Sequence, residues 1–325
     1  MFTGMEYVYE VYKERSFSNA ARNLFVSQPA LSATVKRVEQ RVGTPIFDRS
    51  TNPITLTECG EAYIRTVEKI MEVKNDFTNY VNDLNQLKTG HLAIGGSTLF
   101  SSYILPPLFT EFKKHYPLVE LELLEERTSQ LEEHLLRGKL DLIIDNRPFD
   151  ENSFERYLYY SEHLLLAVPR DFGVNEGLKE YQLDLQDVMD GRHLNDHTPA
   201  VPLKAFCNEP FVFLKSENDT ARHALKICQS YGFMPDILLK TDQQITAYNI
   251  TCSGFGISFI GDILVRFEQP NPYVVYYKLE GEEAIRNIYF YKKRGKYTTR
   301  AMEEFLRIMK EERKKFVQIL PLKRL

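Results

Sequence analysis

Hydrophobic positions at the start of the chain recur with the period of a helix. Met5, Val8, Tyr9 and Tyr12 set the core face of a first helix, Met5 to Lys13. Ser18 to Leu24 predicts a second, compact helix whose paired alanines, Ala20 and Ala21, let a neighbouring helix approach closely, with Phe25-Val26 closing it. Leu31, Val35, Val38 and Val42 then follow at spacings of four, three and four, a single apolar stripe for packing on the helices before it. Ser27 stands where an N-cap hydroxyl accepts orphan backbone N–H groups, and Pro29 falls in the first turn, where a missing N–H costs nothing. Gly43-Thr44-Pro45 punctuates the end of this third helix. Ile46 to Arg49 and Ile54 to Thr57 read as two short strands around Ser50-Thr51-Asn52-Pro53, a wing beside the helical pair.

The other face of the third helix carries Gln28, Ser32, Lys36 and Arg37, with Arg41 near its end. These side-chain types hydrogen-bond base edges and neutralise phosphates, so helix, tight turn and polar face together describe a helix-turn-helix built for a DNA major groove. Ordered elements over about sixty residues then become specific. They are Ser16-Phe17-Ser18-x-Ala20-Ala21, Val26-Ser27-Gln28-Pro29-Ala30-Leu31-Ser32, Lys36-Arg37-x-Glu39, Phe47-Asp48-Arg49 and Leu56-Thr57-x-x-Gly60. This run resembles the N-terminal signature of LysR-type transcriptional regulators. The resemblance implies double-stranded DNA as a partner, with Ser27, Gln28, Pro29, Ala30 and Ser32 near base edges and Lys36, Arg37 and Arg49 on phosphates. The chain departs from the family in having Asn52 and Pro53 in the wing, where relatives are often arginine-rich, and Ala33 where an arginine is frequent.

Thr57 is placed to cap a long helix running to about Leu87, with Tyr63, Val67, Ile70, Phe77, Val81 and Leu84 in four–three alternation and Lys74 in the one polar place. An exposed helix keeps such a seam only when a partner covers it, so the seam predicts self-association. In the resembling family this linker pairs with its counterpart in a second subunit, which implies a homodimer or homotetramer. After Lys88-Thr89-Gly90 the pattern alternates strand and helix: His91 to Gly95, Ser101 to His115, Leu118 to Leu124, Thr128 to Arg137, then a strand through Leu142-Ile143-Ile144. Alternation at these lengths implies a parallel sheet with helices on its faces. His163 to Pro169 reads as a crossover strand into a second lobe. That lobe comprises Phe211 to Leu214, Asp219 to Tyr231, Asp236 to Lys240, Gln243 to Cys252 and Ile257 to Ile260. Val274 to Leu279, Asn287 to Lys292 and the basic helix Thr298 to Lys315 complete the chain. The expected fold is therefore α/β: a winged helix-turn-helix over 1–57, a linker helix over 58–88, and over 89–325 the periplasmic-binding-protein-like effector domain of the resembling family. Its lobes are expected at 89–163 with 266–325, and at 164–265. Gly173 to Asn208 is longer than the connection usual in that family, and no function follows from it.

Ligands of open α/β sheets bind beyond the carboxyl ends of strands, near helix N-termini. That rule selects Ser97-Thr98, Thr128-Ser129 and Asn146-Arg147 from one lobe and Asn218-Asp219-Thr220 from the other. The loops with Ser97, Thr98 and Thr128 also correspond by order to the effector-contact loops of the family. The expected effector-binding set is Ser97, Thr98, Thr128, Ser129, Arg147 and Asn218, serving a small polar or anionic metabolite, with Arg147 as counter-charge. The same side chains also suit plain helix capping.

Composition adjusts this picture in a few places. The net charge of −4 argues at first against DNA, but residues 292–325 hold twelve Lys/Arg and four Asp/Glu, and the first sixty residues hold seven basic and six acidic. A small, focused basic face remains compatible with a few phosphate contacts per half-site. Cys59, Cys207, Cys228 and Cys252 show no metal-ligand spacing and read as reduced thiols. No apolar run reaches membrane-helix length and the N-terminus has no secretory pattern, so the protein is expected in the cytoplasm. Gly254-Phe255-Gly256 lacks the rest of a dinucleotide loop, and His193 and His197 sit in a loop-like context, so neither cofactor nor metal is expected. No constellation supports catalysis. The competing class is a soluble small-molecule-binding protein or enzyme using its N-terminal helices only to dimerise. A pure dimerisation face has no need of Gln28, Ser32 and Lys36 on its outer side.

Overall fold

The computed structural model describes residues 1–84 and 90–318, which form two compact units, Met1–Val81 and Asn82–Leu325. In the first unit, α1 (Met5–Glu14), α2 (Phe17–Asn23) and α3 (Gln28–Val42) are followed by the two-stranded wing, β1 (Phe47–Asp48) and β2 (Thr55–Leu56), and by α4 (Glu58–Leu84). The stripe of α3 is buried at Leu31, Val35 and Val38, where it meets Val8 and Val11 of α1 and the alanine pair of α2. On α1 the fully buried residues are Met5, Val8 and Val11, while Tyr9 and Tyr12 are only half-buried at the rim. Ser27 caps α3 by accepting the Ala30 N–H, and Gly43 ends it at φ +87°, the left-handed conformation that glycine adopts without strain.

Thr57 Oγ1 accepts the Gly60 N–H at 2.9 Å and donates to the Pro45 carbonyl, so the same hydroxyl starts α4 and fixes it to the wing. Gly60 is required here, because a Cβ at this position would collide with the Ile46 carbonyl oxygen. The expected seam on α4 divides in two. Tyr63, Ile64 and Val67 are buried in the unit's own core, with Ile70 and Met71 packed beside them, whereas Val73 and Phe77 are 69% and 67% exposed and Val81 is also exposed. The last expected turn of this helix, through Leu87, and the Leu84 side chain lie outside the described residues.

The second unit begins with β3 (Gly90–Gly96), α5 (Leu105–His115), β4 (Val119–Glu125), α6 (Thr128–Leu136), β5 (Leu142–Asp145) and β6 (Phe154–Pro169). A connecting segment holds β7 (Gln182–Leu183) and α7 (Leu185–Met189). Then come β8 (Pro210–Leu214), α8 (Asp219–Ser230), β9 (Asp236–Thr241), α9 (Gln244–Cys252), β10 (Ser258–Gly261), α10 (Asp262–Phe267), β11 (Val274–Lys278), β12 (Ile285–Lys293) and α11 (Arg300–Gln318). The main sheet runs β4-β3-β5-β12-β6-β11-β7, with β10 also on β6. A purely parallel sheet, as the alternating pattern suggests, is not what forms. β4, β3 and β5 are parallel, and so are β8 and β9, but β12 runs antiparallel to both β5 and β6, and β10 and β11 are antiparallel to β6.

The expected crossover strand at His163–Pro169 is also only the second half of the real one. β6 starts at Phe154, pairs with β12 as far as His163, and from Leu164 pairs with β10 and β11. One strand thus serves both lobes, changing partners midway. The polar run Ser161-Glu162-His163 conceals its continuity in the sequence, because here polar residues meet tertiary partners rather than the solvent around a loop. The chain returns along β10 into α10, so the two crossings lie side by side.

Buried charge concentrates at these crossings. Glu162 on β6 is fully buried and receives Arg286 Nε, from β12, at 2.5 Å. Arg286 in turn donates to Thr220 Oγ1 on α8 at 2.6 Å, and Gln244 of α9 joins by donating to Thr220 and accepting the Gly261 N–H. Asp262, the first residue of α10 and wholly buried, accepts from the Tyr160 hydroxyl at 2.6 Å and the His163 N–H at 3.1 Å, with His193 Nε2 at 3.0 Å and Arg266 at 3.6 Å. Burial pushes the Asp262 carboxyl up, but His193, Arg266 and Tyr160 outweigh it and hold it below the usual carboxylate range. For Glu162 burial prevails over Arg286, and its pKa is raised. The 173–208 segment has a structural role: Leu178, Val201, Leu203 and Phe206 enter the core of the second lobe, and His193 reaches the crossing.

Removing one partner of a buried ion pair leaves the other uncompensated. Arg286→Met is expected to destabilise the second unit by about 3–5 kcal/mol. Adding Glu162→Gln to that variant should restore much of the loss, as read from urea unfolding of the full chain. Two additive losses would show that the pair is not coupled.

Candidate functional sites

In the first unit, α3 presents Gln28, Pro29 and Ala30 in its first turn and Lys36 and Arg37 further along, all exposed, with Ser32 half-buried. Ser27, also exposed, is committed to capping. Arg37 Nη2 donates to Thr34 Oγ1 at 3.0 Å, an intrahelical bond that leaves its remaining donors free to face a partner. Arg41 reaches back to the Thr3 carbonyl. Arg49 is more engaged than its sequence position suggests: it donates to Glu39 Oε2 at 3.0 Å and lies 5.0 Å over the Phe17 ring. The same Glu39 accepts the N–H groups of Ile46 and Phe47. Glu39 therefore locks the start of the wing to α3, and Arg49 completes that lock while its side chain stays 44% exposed.

One exposed residue escapes sequence reasoning. Phe25, which the sequence places at the close of the second helix, occupies the turn at φ +54° and is 96% exposed, beside the N-terminus of α3. A large aromatic in a left-handed conformation is unusual on both counts. The signal available in the sequence is an apolar residue between helix end and N-cap.

In the second unit a cleft of about 420 Å³ opens between the lobes. Ser97, Thr98, Thr128, Ser129, Arg147 and Asn218 all line it. The ends of β3, β4 and β5 supply one wall, and the loops entering α8 and α9 supply the other. The six residues are not equally available to a ligand. Asn218 caps α8 by accepting the Thr220 N–H, Thr98 donates to Glu125 at 2.5 Å, and Thr128 donates to Asp145 Oδ2 at 2.8 Å. Ser97, Ser129 and the Arg147 guanidinium have no side-chain partner among the described residues. The helix after Ser97 opens with a wide turn, Phe100–Ile104, and not with a cap on Ser97 or Thr98.

The cleft also contains groups that sequence order does not select. Asp145, the last residue of β5, is 1% exposed and accepts the Arg147 N–H and the Thr128 hydroxyl. Burial pushes its pKa up to about 6 against those two hydrogen bonds, with Asp219 of the facing lobe adding to the rise. Arg286 and Gln244 reach the cleft from far along the chain. The sequence hides these residues because nothing local distinguishes Asp145 from any aspartate ending a strand, and Arg286 lies near the start of β12, 124 residues after its partner Glu162.

The two motifs set aside in the sequence have structural roles. Gly256 packs tightly against the Pro210 carbonyl, and His193 serves Asp262 while His197 is exposed. Among the described residues no group of side chains is arranged to hold a metal ion, and no helix is long and apolar enough to cross a membrane. The four cysteines are free, with burial pushing the Cys228 thiol up to about 12.

The Asp145 carboxyl makes a testable contribution to stability. Its folded pKa of about 6 lies above an unfolded value of about 3.9, so the folded state holds the proton more tightly. Its contribution is thus complete below about pH 4 and is lost as pH rises through about 6. Asp145→Asn keeps an acceptor and cannot ionise. Between pH 5 and pH 7 the wild type should lose about 1 kcal/mol relative to this variant in urea unfolding; parallel profiles would show that Asp145 is not desolvated.

Comparison with known proteins places both units. Residues 2–61 match the bacterial regulatory helix-turn-helix protein, lysR family, and residues 85–314 match the LysR substrate binding domain. The chain is 28% identical over 312 residues to an uncharacterized HTH-type transcriptional regulator, YcgK of Bacillus subtilis, covering 95% of this chain and 94% of that one. Among solved structures it resembles a full-length OxyR point variant from Pseudomonas aeruginosa, with a TM-score of 0.70 and 20% identity over 95% of this chain and 94% of that one. It also resembles full-length CbnR complexed with its target DNA, with a TM-score of 0.65 and 17% identity over 96% and 99%. With the helix-turn-helix at one end and the two-lobed α/β unit at the other, the chain belongs to the LysR family of transcriptional regulators.

Proposed function

We propose that this regulator works in the cytoplasm as a homodimer or homotetramer, binds double-stranded DNA through α3 and the wing, and responds to a small polar ligand in the interlobe cleft. In this reading it has no cofactor and no catalytic activity. The observation that carries the DNA-binding part is the outer face of α3. Gln28, Lys36 and Arg37 are exposed there while the opposite stripe is buried. Gln28 and Ser32 suit base edges, and Lys36 and Arg37 suit phosphates. Glu39 and Arg49 hold the wing against the helix, which supports Arg49 acting as a positioning group as well as a phosphate contact. CbnR, similar in fold, has been seen on its target DNA.

The exposed apolar residues of α4, Val73 and Phe77, support self-association, since water contact with such a row is unfavourable. The cleft supports ligand sensing: it has the volume of a small-molecule site, polar groups converge from both lobes, and a ligand touching both would alter their angle. Catalysis receives no support from this arrangement. Asp145 has a raised pKa, but its oxygens are taken by the Thr128 hydroxyl and the Arg147 N–H, contacts that serve to hold the loops at the ends of β4 and β5.

The test uses a duplex selected from random DNA and a scrambled control, followed by fluorescence anisotropy across a salt series. Lys36→Ala should weaken binding to both duplexes alike and reduce the slope of log affinity against log salt by about 1 per subunit. Gln28→Ala should chiefly narrow the difference between the duplexes, by about 1–3 kcal/mol per half-site. If neither substitution changes affinity or selectivity, α3 is not the reading helix.

A further inference from the structure

The charge around the cleft points to the class of ligand. Four cations face it, and three are already engaged. Arg286 is held by the buried Glu162 at 2.5 Å, while Lys215 and Arg127 both turn to Asp242, at 2.6 and 3.5 Å. Only Arg147 has no carboxylate within 4 Å among the described residues, although its charge acts on Asp145 from further away. Against it stand Glu125, Glu126, Glu217 and Asp145, and also Asp219, whose Oδ1 is taken by Arg222 at 2.6 Å. A bare anion entering this cleft would meet one available guanidinium and several carboxylates.

Two of those carboxylates are set apart by burial and position. Asp145 ends β5 in the first lobe, and Asp219 begins α8 in the second. Both line the same cleft, one from each lobe. Asp145 has a single donor on each oxygen, although an ionised carboxylate can accept about four hydrogen bonds. Asp219 has a side chain only 9% exposed, and its Oδ2 accepts no hydrogen bond; Arg286 Nη1 and His223 Nε2 stand 3.6 Å away, within ion-pair range but beyond hydrogen-bond length. Both acceptors are therefore underused, and like charges face each other from opposite lobes.

Resting on the reading of the cleft as a ligand site, we infer that its ligand carries a protonated nitrogen, as a small amine or an amino acid does, seated between Asp145 and Asp219. An ammonium there supplies the missing donors to both carboxylates. It also converts a repulsion between the lobes into a bridge that draws them together. Ser97, Ser129 and Arg147 remain free to receive a carboxylate at the ligand's other end, so a zwitterion of amino-acid size uses both kinds of group. Within the broader class of polar or anionic molecules, the charge balance selects the nitrogen-bearing ones.

The experiment is thermal unfolding of the full-length protein at fixed pH and ionic strength. One panel contains the proteinogenic amino acids and the common biogenic di- and polyamines; the other contains succinate, benzoate and sulfate, with calcium chloride as a separate arm. A specific ligand stabilises the native state by mass action. At least one amine should raise the unfolding midpoint, and calorimetry should show its affinity about tenfold or more weaker in both Asp145→Asn and Asp219→Asn. Circular dichroism of each variant checks that it folds, and Asp219→Glu, which keeps the charge, should retain part of the affinity.

Stabilisation by succinate or benzoate that vanishes in Arg147→Ala would keep the cleft as the ligand site and overturn the nitrogen-bearing class. Stabilisation by calcium alone, or by no amine in the panel, would overturn it as well. An amine whose affinity is unchanged in both Asn variants is not held by these two carboxylates, and it too would overturn the inference while leaving the cleft reading standing.

Discussion

The second unit depends on how it handles charge at its crossings. β6 and the β10–α10 return carry Glu162 and Asp262 through the interior, where an ionised carboxylate without partners is strongly destabilising. Each is answered by charges and hydrogen-bond donors, most of them drawn from distant parts of the chain. Arg286 and Thr220 answer Glu162, and Tyr160, His193 and Arg266 answer Asp262. Hydrophobic burial would tolerate many small slips of one lobe against the other, because it is non-directional. Hydrogen-bonded charges do not, so they specify the register in which β6 leaves one sheet partner and takes the next. Arg286 and Gln244 line the cleft as well, which makes its lining part of the same polar assembly.

The first unit solves a different problem, that of keeping a polar face both exposed and rigid. Its side chains cannot be fixed by burial, so the backbone beneath them is fixed from behind. Leu31, Val35 and Val38 anchor α3, Ser27 and Gly43 define its ends, and Glu39 ties the wing to it through two backbone N–H groups and Arg49. The sparse arginine content of the wing fits this economy: Arg49 supports the scaffold, and Asn52-Pro53 follows it in place of further cations.

Much of this is legible in the residues taken in order. Periodicity locates α1 to α4 and most of the strands, because each follows from local spacing and the capping chemistry of Ser27, Thr57 and Gly43 is a short-range property. The six cleft residues chosen by strand order lie in one cavity. What is not legible depends on distance. β6 reads at half its length because Glu162 and His163 look like loop residues until Arg286 and Asp262 are beside them. The antiparallel β12 does not emerge from an alternation that also suits parallel sheets. Asp145 acquires its character from desolvation and from Asp219 of the facing lobe, which no pattern along a single strand encodes. Phe25 is the reverse case, an apolar residue whose type predicts burial and whose turn leaves it in water.

The crossings also bear on how such regulators diversify. A lobe that folded around its own apolar core alone could be exchanged between relatives by recombination, bringing a new specificity as a module. Here Glu162 and Arg286 belong to strands of one lobe, while Thr220, Gln244 and His193 come from the other. A transplanted second lobe would arrive without the host's matching charges and strand them in the interior. Exchange at the apparent boundary is thus closed to this chain unless the polar assembly travels intact, and new specificities are left to arise by substitution along the cleft walls.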